Sequence, residues 1–139
     1  MSRRKKLIAQ LGEAAARAAG HSYSPYSHFR VGAAVVTEAG AIYSGCNVEN
    51  ASFGLTQCAE RTALTAAVAD GVIPGNIDAL LIYTPGKIAH PPCGACRQVM
   101  QELMSADALV VSCCDGADTK AWSVSDYLPD PFVPDVLLK

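Results

Sequence analysis

Apolar residues recur near the start of the chain at helical intervals. Leu7, Leu11, Ala14, Ala15 and Ala18 fall on one face, which predicts an amphipathic helix over residues 5–19 ending at Gly20. Ser22–Ser27, with Pro25 among them, reads as a loop. The pattern then changes period. Residues 29–37 and 41–48 are rich in Val, Ile and Tyr and flank Glu38-Ala39-Gly40, which predicts a β-hairpin. Helical spacing returns over residues 58–70 and is stopped by Gly71 and Pro74. A strand over 78–84, a helix over Cys93–Leu103, a strand over Ala108–Cys113, a short strand near Lys120–Ser123 and a helical turn near Ser125–Leu128 complete the series. Helix, hairpin, helix, strand, helix, strand in that order predicts an α/β sandwich around one mixed sheet. At 139 residues this is a single domain, 1–139, large enough to bury a core without disulfides.

Composition narrows the function classes. Half of the residues are apolar and 17% are charged, which argues against disorder and for part of the surface being covered by subunit contacts. The net charge of −2 offers no footprint for a nucleic acid polymer, and Arg3-Arg4-Lys5-Lys6 reads as a solvated helix start. Gln10 and Glu13 break the apolar run after Leu7 before it reaches signal-peptide length, and no segment approaches membrane-spanning length. A cytoplasmic protein is expected, in which thiols stay reduced and clustered cysteines signal metal more often than disulfide.

The chemistry lies in Cys58-Ala59-Glu60 and Pro92-Cys93-Gly94-Ala95-Cys96. Three thiolates hold a Zn²⁺ and leave one of its four tetrahedral positions for water, the pattern of a catalytic zinc. A carboxylic acid two residues after the first ligand can shuttle that water's protons. Cys58 and Cys93 both fall at predicted helix starts, where the positive end of the helix dipole favours thiolates. Successive helical residues turn by about 100°, so Cys58 and Glu60 share a site only if Cys58 occupies the irregular cap position. Arg61, three after Cys58, returns to the thiolate side, where its charge offsets the excess negative charge of three thiolates on Zn²⁺; Arg97, four after Cys93, is a second such candidate. Two other readings use the same residues. A closed structural zinc site takes a fourth ligand from Cys46, Cys113, Cys114 or His90, and Cys-x-x-Cys at a helix start is also a thiol redox arrangement. The acid at position 60 favours catalytic zinc over both. Apart from the zinc ligands, the cysteines read as buried apolar residues, and His21 and His28 as loop residues.

The whole arrangement resembles the small cytidine deaminases with three cysteine ligands. Ser24-Pro25-Tyr26-Ser27-His28-Phe29-Arg30-Val31-Gly32-Ala33-Ala34 is similar to the family's first-strand motif, and Gly45-Cys46-Asn47-Val48-Glu49-Asn50-Ala51-Ser52 to its nucleoside-binding segment. Cys58-Ala59-Glu60-Arg61-Thr62-Ala63 and Pro92-Cys93-Gly94-Ala95-Cys96-Arg97-Gln98-Val99 extend the likeness over nearly the whole chain. The resemblance implies a three-layer α/β/α sandwich around a mostly five-stranded mixed sheet, one Zn²⁺ per subunit, and hydrolytic deamination of cytidine and 2′-deoxycytidine with Glu60 moving the protons. It implies that Asn47 and Glu49, two apart on a strand and so on one face, bond the ribose hydroxyls while Phe29 packs on the nucleoside. Ala59 N–H is implied to hold the base O2, and the carbonyl of residue 91 to accept from the leaving amine. Here the family usually has Ser and this chain has Pro91, which keeps the carbonyl and loses the hydroxyl and N–H. Leu128-Pro129-Asp130-Pro131-Phe132 resembles the family's C-terminal segment, in which Phe132 reaches a neighbouring subunit's site; a homotetramer follows from that likeness, and Tyr127 stands where Leu is usual.

Overall fold

A computed structural model describes residues 2–138. The first helix, α1 (Arg3–Ala19), begins where the Ser2 hydroxyl accepts from Lys5 N–H and buries Leu11, Ala15 and Ala19, four residues apart on one stripe. Two strands follow, β1 (Gly32–Thr37) and β2 (Ile42–Cys46), closed by a turn in which Gly40 adopts φ +91°. The second helix is α2 (Ala59–Ala69), followed by β3 (Ile77–Tyr83), α3 (Gly94–Leu103), β4 (Leu109–Cys113), β5 (Lys120–Ser123) and the single turn α4 (Val124–Tyr127). Short 3-10 turns at Phe53–Leu55 and Pro134–Val136 were not foreseen from the sequence.

The five strands form one sheet in the order β2-β1-β3-β4-β5. Only β3 and β4 run parallel, and α3 makes the crossover between them. Strand β1 is buried along its whole length because helices cover both faces of the sheet. On one face Ala34, Val36, Leu81 and Val111 pack against Leu11 and Ala15 of α1. On the other, Ala33, Val35, Leu80 and Val110 pack against Ala63, Leu64 and Ala67 of α2 and Met100 of α3. Helices lie very close to the strands at two glycines. A Cβ on Gly32 would fall 1.8 Å from the Ala15 carbonyl oxygen, and one on Gly45 would fall 2.5 Å from Ala63 N. This is the three-layer α/β/α arrangement expected from the sequence.

The first hairpin strand begins later than its composition suggests, at Gly32 rather than residue 29, and the second ends earlier, at Cys46 rather than residue 48. Past Cys46, the Asn47 side chain takes over from the ladder: its Oδ1 accepts from Val31 N–H at 3.0 Å. Past the strand, Val48 pairs through two isolated bridges, one with Tyr23 and one with Gln57. The polar side chain thus closes a gap that regular strand pairing would have filled.

Candidate active site

The N-termini of α2 and α3 meet beside the end of β3. Cys58 is the N-cap of α2 (φ −71°, ψ 153°) and Cys93 the N-cap of α3 (φ −68°, ψ 165°), and neither thiol caps its own helix. Both are therefore free to turn toward a common point. Their sulfurs are 3.9 Å apart, and Cys96, buried one turn into α3, brings a third within 4.8 Å of both. Three sulfurs about 2.3 Å from a tetrahedral Zn²⁺ are about 3.8 Å from one another, so this donor set fits the ion in geometry and in chemistry. The fourth ligands that the sequence left open are not part of it. Among the described residues, the group able to hold a metal is Cys58, Cys93 and Cys96, without Cys46, Cys113, Cys114 or His90. All six cysteines are free thiols.

Because Cys58 is a cap rather than a helical residue, Glu60 can turn into the same site, as the angular argument required. A cleft of about 220 Å³ is bordered by Cys58, Ala59, Glu60, Cys93, Phe29, Asn47 and Pro91. Glu60 is 5% exposed. Burial pushes its carboxyl above the usual carboxylate range, its own backbone N–H opposes this, and the nearby Cys58 charge adds to it. The Cys58 thiol is brought down to about 5, first by a hydrogen bond from Cys96 and then, against burial, by Arg61. The same coupling drives the Cys96 thiol upward. Arg61 Nη2 donates to Cys58 Sγ at 3.3 Å and to the Thr56 carbonyl at 3.4 Å, placing its charge where the spacing put it.

Other residues singled out in the sequence are placed differently. Arg97 turns away from the thiols: Nε donates to the Pro92 carbonyl at 2.8 Å, Nη1 donates to the Tyr127 carbonyl at 3.3 Å, and the guanidinium lies 4.6 Å from the Tyr127 ring centre. It holds the approach to α3 rather than balancing thiolate charge. Asn47 borders the cleft but is 8% exposed and largely committed inward. Its Oδ1 accepts from Val31 N–H and the Ser22 hydroxyl, and Nδ2 donates to the Phe29 carbonyl at 2.8 Å, leaving one amide hydrogen uncommitted. Glu49 lies in an adjoining hollow with Tyr26, Ser27 and Phe53, joined to the cleft across Thr56. Tyr26 N–H, Ser27 N–H and the Ser27 hydroxyl donate to its carboxylate, and the hydroxyl is the main reason that its pKa is lowered. Phe132 stands 65% exposed, away from this cleft, its carbonyl accepting from Gln98 Nε2 at 2.9 Å. His90 was weighed only as a metal ligand; it instead forms part of the cleft wall, its ring edge-to-face with Phe29 at 5.7 Å. A lone His in a proline-rich stretch carries no pattern that reveals such a contact.

Comparison with known proteins agrees with this geometry. The family model described as the "Cytidine and deoxycytidylate deaminase zinc-binding region" matches residues 5–113. A cytidine deaminase of Halalkalibacterium halodurans is 46% identical over 111 residues, 80% of this chain and 83% of its own. One of Sporosarcina psychrophila is 42% identical over 92% of this chain and 90% of its own. The crystal structure of cytidine deaminase from Burkholderia pseudomallei superposes with a TM-score of 0.86 at 46% identity, covering 95% of this chain and 100% of that one. The family match over residues 5–113 and these levels of identity show that the chain belongs to the cytidine and deoxycytidylate deaminase zinc-binding family.

Proposed function

We propose that this protein is a zinc-dependent hydrolase that converts cytidine and 2′-deoxycytidine to uridine and 2′-deoxyuridine, releasing ammonia. The observation that carries the reading is the buried Glu60 carboxyl in the cleft bordered by Cys58 and Cys93. Cys58, Cys93 and Cys96 hold one Zn²⁺, which when bound supplies Lewis-acid activation of water. Glu60 accepts one proton from the attacking water and passes it to ring N3, then accepts the second from the hydroxyl formed on C4 and passes it to the 4-amino group. The water oxygen joins C4, the C4–N bond breaks, and ammonia leaves with Glu60 restored to its starting charge. A carboxyl held above its usual range by burial keeps a proton it has received better than an ordinary carboxylate does, which suits a residue that must carry protons to the substrate.

The remaining residues of the cleft orient the nucleoside. Ala59 N–H, at the open first turn of α2, is free to bond the base O2. Pro91 and Phe29 border the cleft, which supports a Pro91 carbonyl that accepts from the leaving amine and a Phe29 ring that packs on the nucleoside. Asn47 has one hydrogen left for a ribose hydroxyl, and Glu49 accepts from another across Thr56. Arg61 offsets the charge of the three thiolates. We read the chain as one domain that assembles into a homotetramer and works in the cytoplasm. Exposed Tyr26, Phe53, Leu55 and Phe132 supply apolar surface for that assembly, with Phe132 entering a neighbouring subunit's site.

The test is to incubate zinc-loaded protein with cytidine, 2′-deoxycytidine, free cytosine and deoxycytidylate and to follow loss of the cytosine chromophore in the ultraviolet. Conversion of the two nucleosides, with free cytosine turned over far more slowly, is expected. No conversion of either nucleoside at full zinc occupancy overturns the reading.

A further inference from the structure

One wall of the cleft is built by residues 84–92, which run from the end of β3 to the N-cap of α3. Its final stretch is unusual in how little it can do for itself. Pro91 and Pro92 carry no backbone N–H, so neither can anchor the chain by donating a hydrogen bond. Their fixed φ also makes the stretch stiff, so a displacement at Ala89 is carried on to His90 and Pro91 instead of being absorbed. The stretch must be gripped from outside, and the structure shows where. At its far end the Pro92 carbonyl accepts from Arg97 Nε at 2.8 Å. At its near end, Ala89 N–H donates to Asp118 Oδ2 at 2.8 Å, and Ala89 is 1% exposed.

Asp118 sits on the loop between β4 and β5, 29 residues away in sequence. That loop is itself locked against the wall. Asp115 accepts from Gly86 N–H at 2.9 Å, returns its own N–H to the Gly86 carbonyl at 2.9 Å, and accepts from the Tyr83 hydroxyl. The Asp118 carbonyl accepts from Cys114 Sγ at 3.4 Å, and Thr119 Oγ1 donates to the Ser112 carbonyl at 3.0 Å. Between the two grips lies His90, whose ring meets Phe29 edge-on, followed by Pro91; both border the cleft.

We propose that Asp118 is a positioning residue for the nucleoside: its carboxylate, by holding Ala89 N–H, sets the His90–Pro91 wall against which the base and ribose are placed. The inference rests on the deaminase reading above and adds to it a residue outside the cleft. Asp118 touches neither substrate nor metal. Its effect is on placement, so it falls on substrate and product affinity more than on turnover.

The test compares Asp118→Ala and Asp118→Asn with the wild-type zinc enzyme, measuring zinc per chain, KM and kcat for cytidine, and the Kd of uridine by titration calorimetry. Asn keeps an oxygen that accepts from Ala89 N–H, and Ala keeps none. Asp118→Ala is expected to raise KM and the uridine Kd by about tenfold, the size of one well-made hydrogen bond between a carboxylate and a buried N–H, with kcat falling less and zinc content unchanged. Asp118→Asn is expected to stay within about threefold of wild type, because the acceptor survives. Unchanged KM and uridine Kd in Asp118→Ala overturn the proposal. So does equal damage in both variants, which would place the effect in the charge or the fold of the loop rather than in the grip on Ala89. Calorimetry of uridine reports binding without turnover. Failure of the deaminase reading instead appears in the wild-type enzyme, as absence of cytidine conversion.

Discussion

Replacing Asn47 with Ala separates two jobs that the sequence pattern merges into one. Motif likeness assigns Asn47 to the ribose; the structure gives it three internal partners as well. Truncation strands Val31 N–H and the Phe29 carbonyl, which lose bonds of 3.0 and 2.8 Å, while the Ser22 hydroxyl keeps a second acceptor in the Asn47 carbonyl at 3.2 Å. Each stranded buried group costs about 1–3 kcal/mol. Val31 is half-buried and Phe29 is 37% exposed, so water recovers part of the loss. The expected destabilisation is therefore about 2–3 kcal/mol, against a typical total of about 5–15 kcal/mol, and the variant stays folded. At this chain length that corresponds to a fall of about 6–10 °C in Tm. Urea unfolding of wild type and Asn47→Ala measures it, with kcat/KM for cytidine taken well below either midpoint. Activity falls for two reasons, since Phe29 loses its tether as the ribose loses a donor. Glu49→Ala serves as the contrast: the donors of Tyr26 and Ser27 that meet its exposed carboxylate can turn to water, so nucleoside turnover falls while the unfolding midpoint drops less than in Asn47→Ala. A wild-type midpoint in Asn47→Ala would refute the argument, showing that the three bonds hold nothing that water does not hold equally well.

Further outcomes follow from the same geometry. Glu60→Gln lowers kcat by at least about 10²–10⁴-fold yet retains about one zinc per chain by metal analysis, and loss of the metal would instead make Glu60 a ligand. Arg61→Gln removes a cation 3.3 Å from Cys58 Sγ, so the Cys58 thiol rises from about 5 and protons compete with the metal at higher pH. Zinc release to a fixed chelator concentration therefore begins at a higher pH than in wild type, and coincident release curves would exclude the charge role. Tyr83 is held up to about 12, mainly because its hydroxyl donates to the Asp115 carboxylate. A raised folded-state pKa stabilises below the unfolded value near 10 and ceases to do so as pH climbs through 12. Tyr83→Phe should thus cost about 1 kcal/mol or less at neutral pH, given the solvent exposure of the pair, and the gap from wild type should close between pH 10 and 12 in urea titrations. Phe132→Ala leaves the protomer folded but lowers deamination, and sedimentation shows a tetramer for wild type; a fully active wild-type monomer would rule out a shared site.

Much of this protein was legible before any coordinates, because its strongest signals are local. Helix and strand periods, the stops at Gly20, Gly71 and Pro74, and the cap positions of Cys58 and Cys93 depend on neighbours a few residues away. So does the spacing that brings Arg61 back to the Cys58 thiol while Glu60 needs an irregular cap. Strand order was not local. The convergence of Cys58 with Cys93, 35 residues apart, followed from motif likeness and became geometry only when β2-β1-β3-β4-β5 brought the starts of α2 and α3 together. The same holds for each side chain whose role differed from its pattern. Arg97 lies one turn from Cys93, yet the nearby Tyr127 ring and carbonyl and the Pro92 carbonyl draw its guanidinium away. Asn47 reads as a polar strand residue but spends its amide on Val31, Ser22 and Phe29, all in the chain before it. Asp118 has no motif at all, because a carboxylate acquires its meaning from the N–H it meets, and the loop that presents it is set by the pairing of β4 with β5. The amino-acid sequence by itself determined which groups carry the chemistry; tertiary packing decided which of them face one another, since hydrogen bonds and charges act over a few ångströms in space and not along the chain.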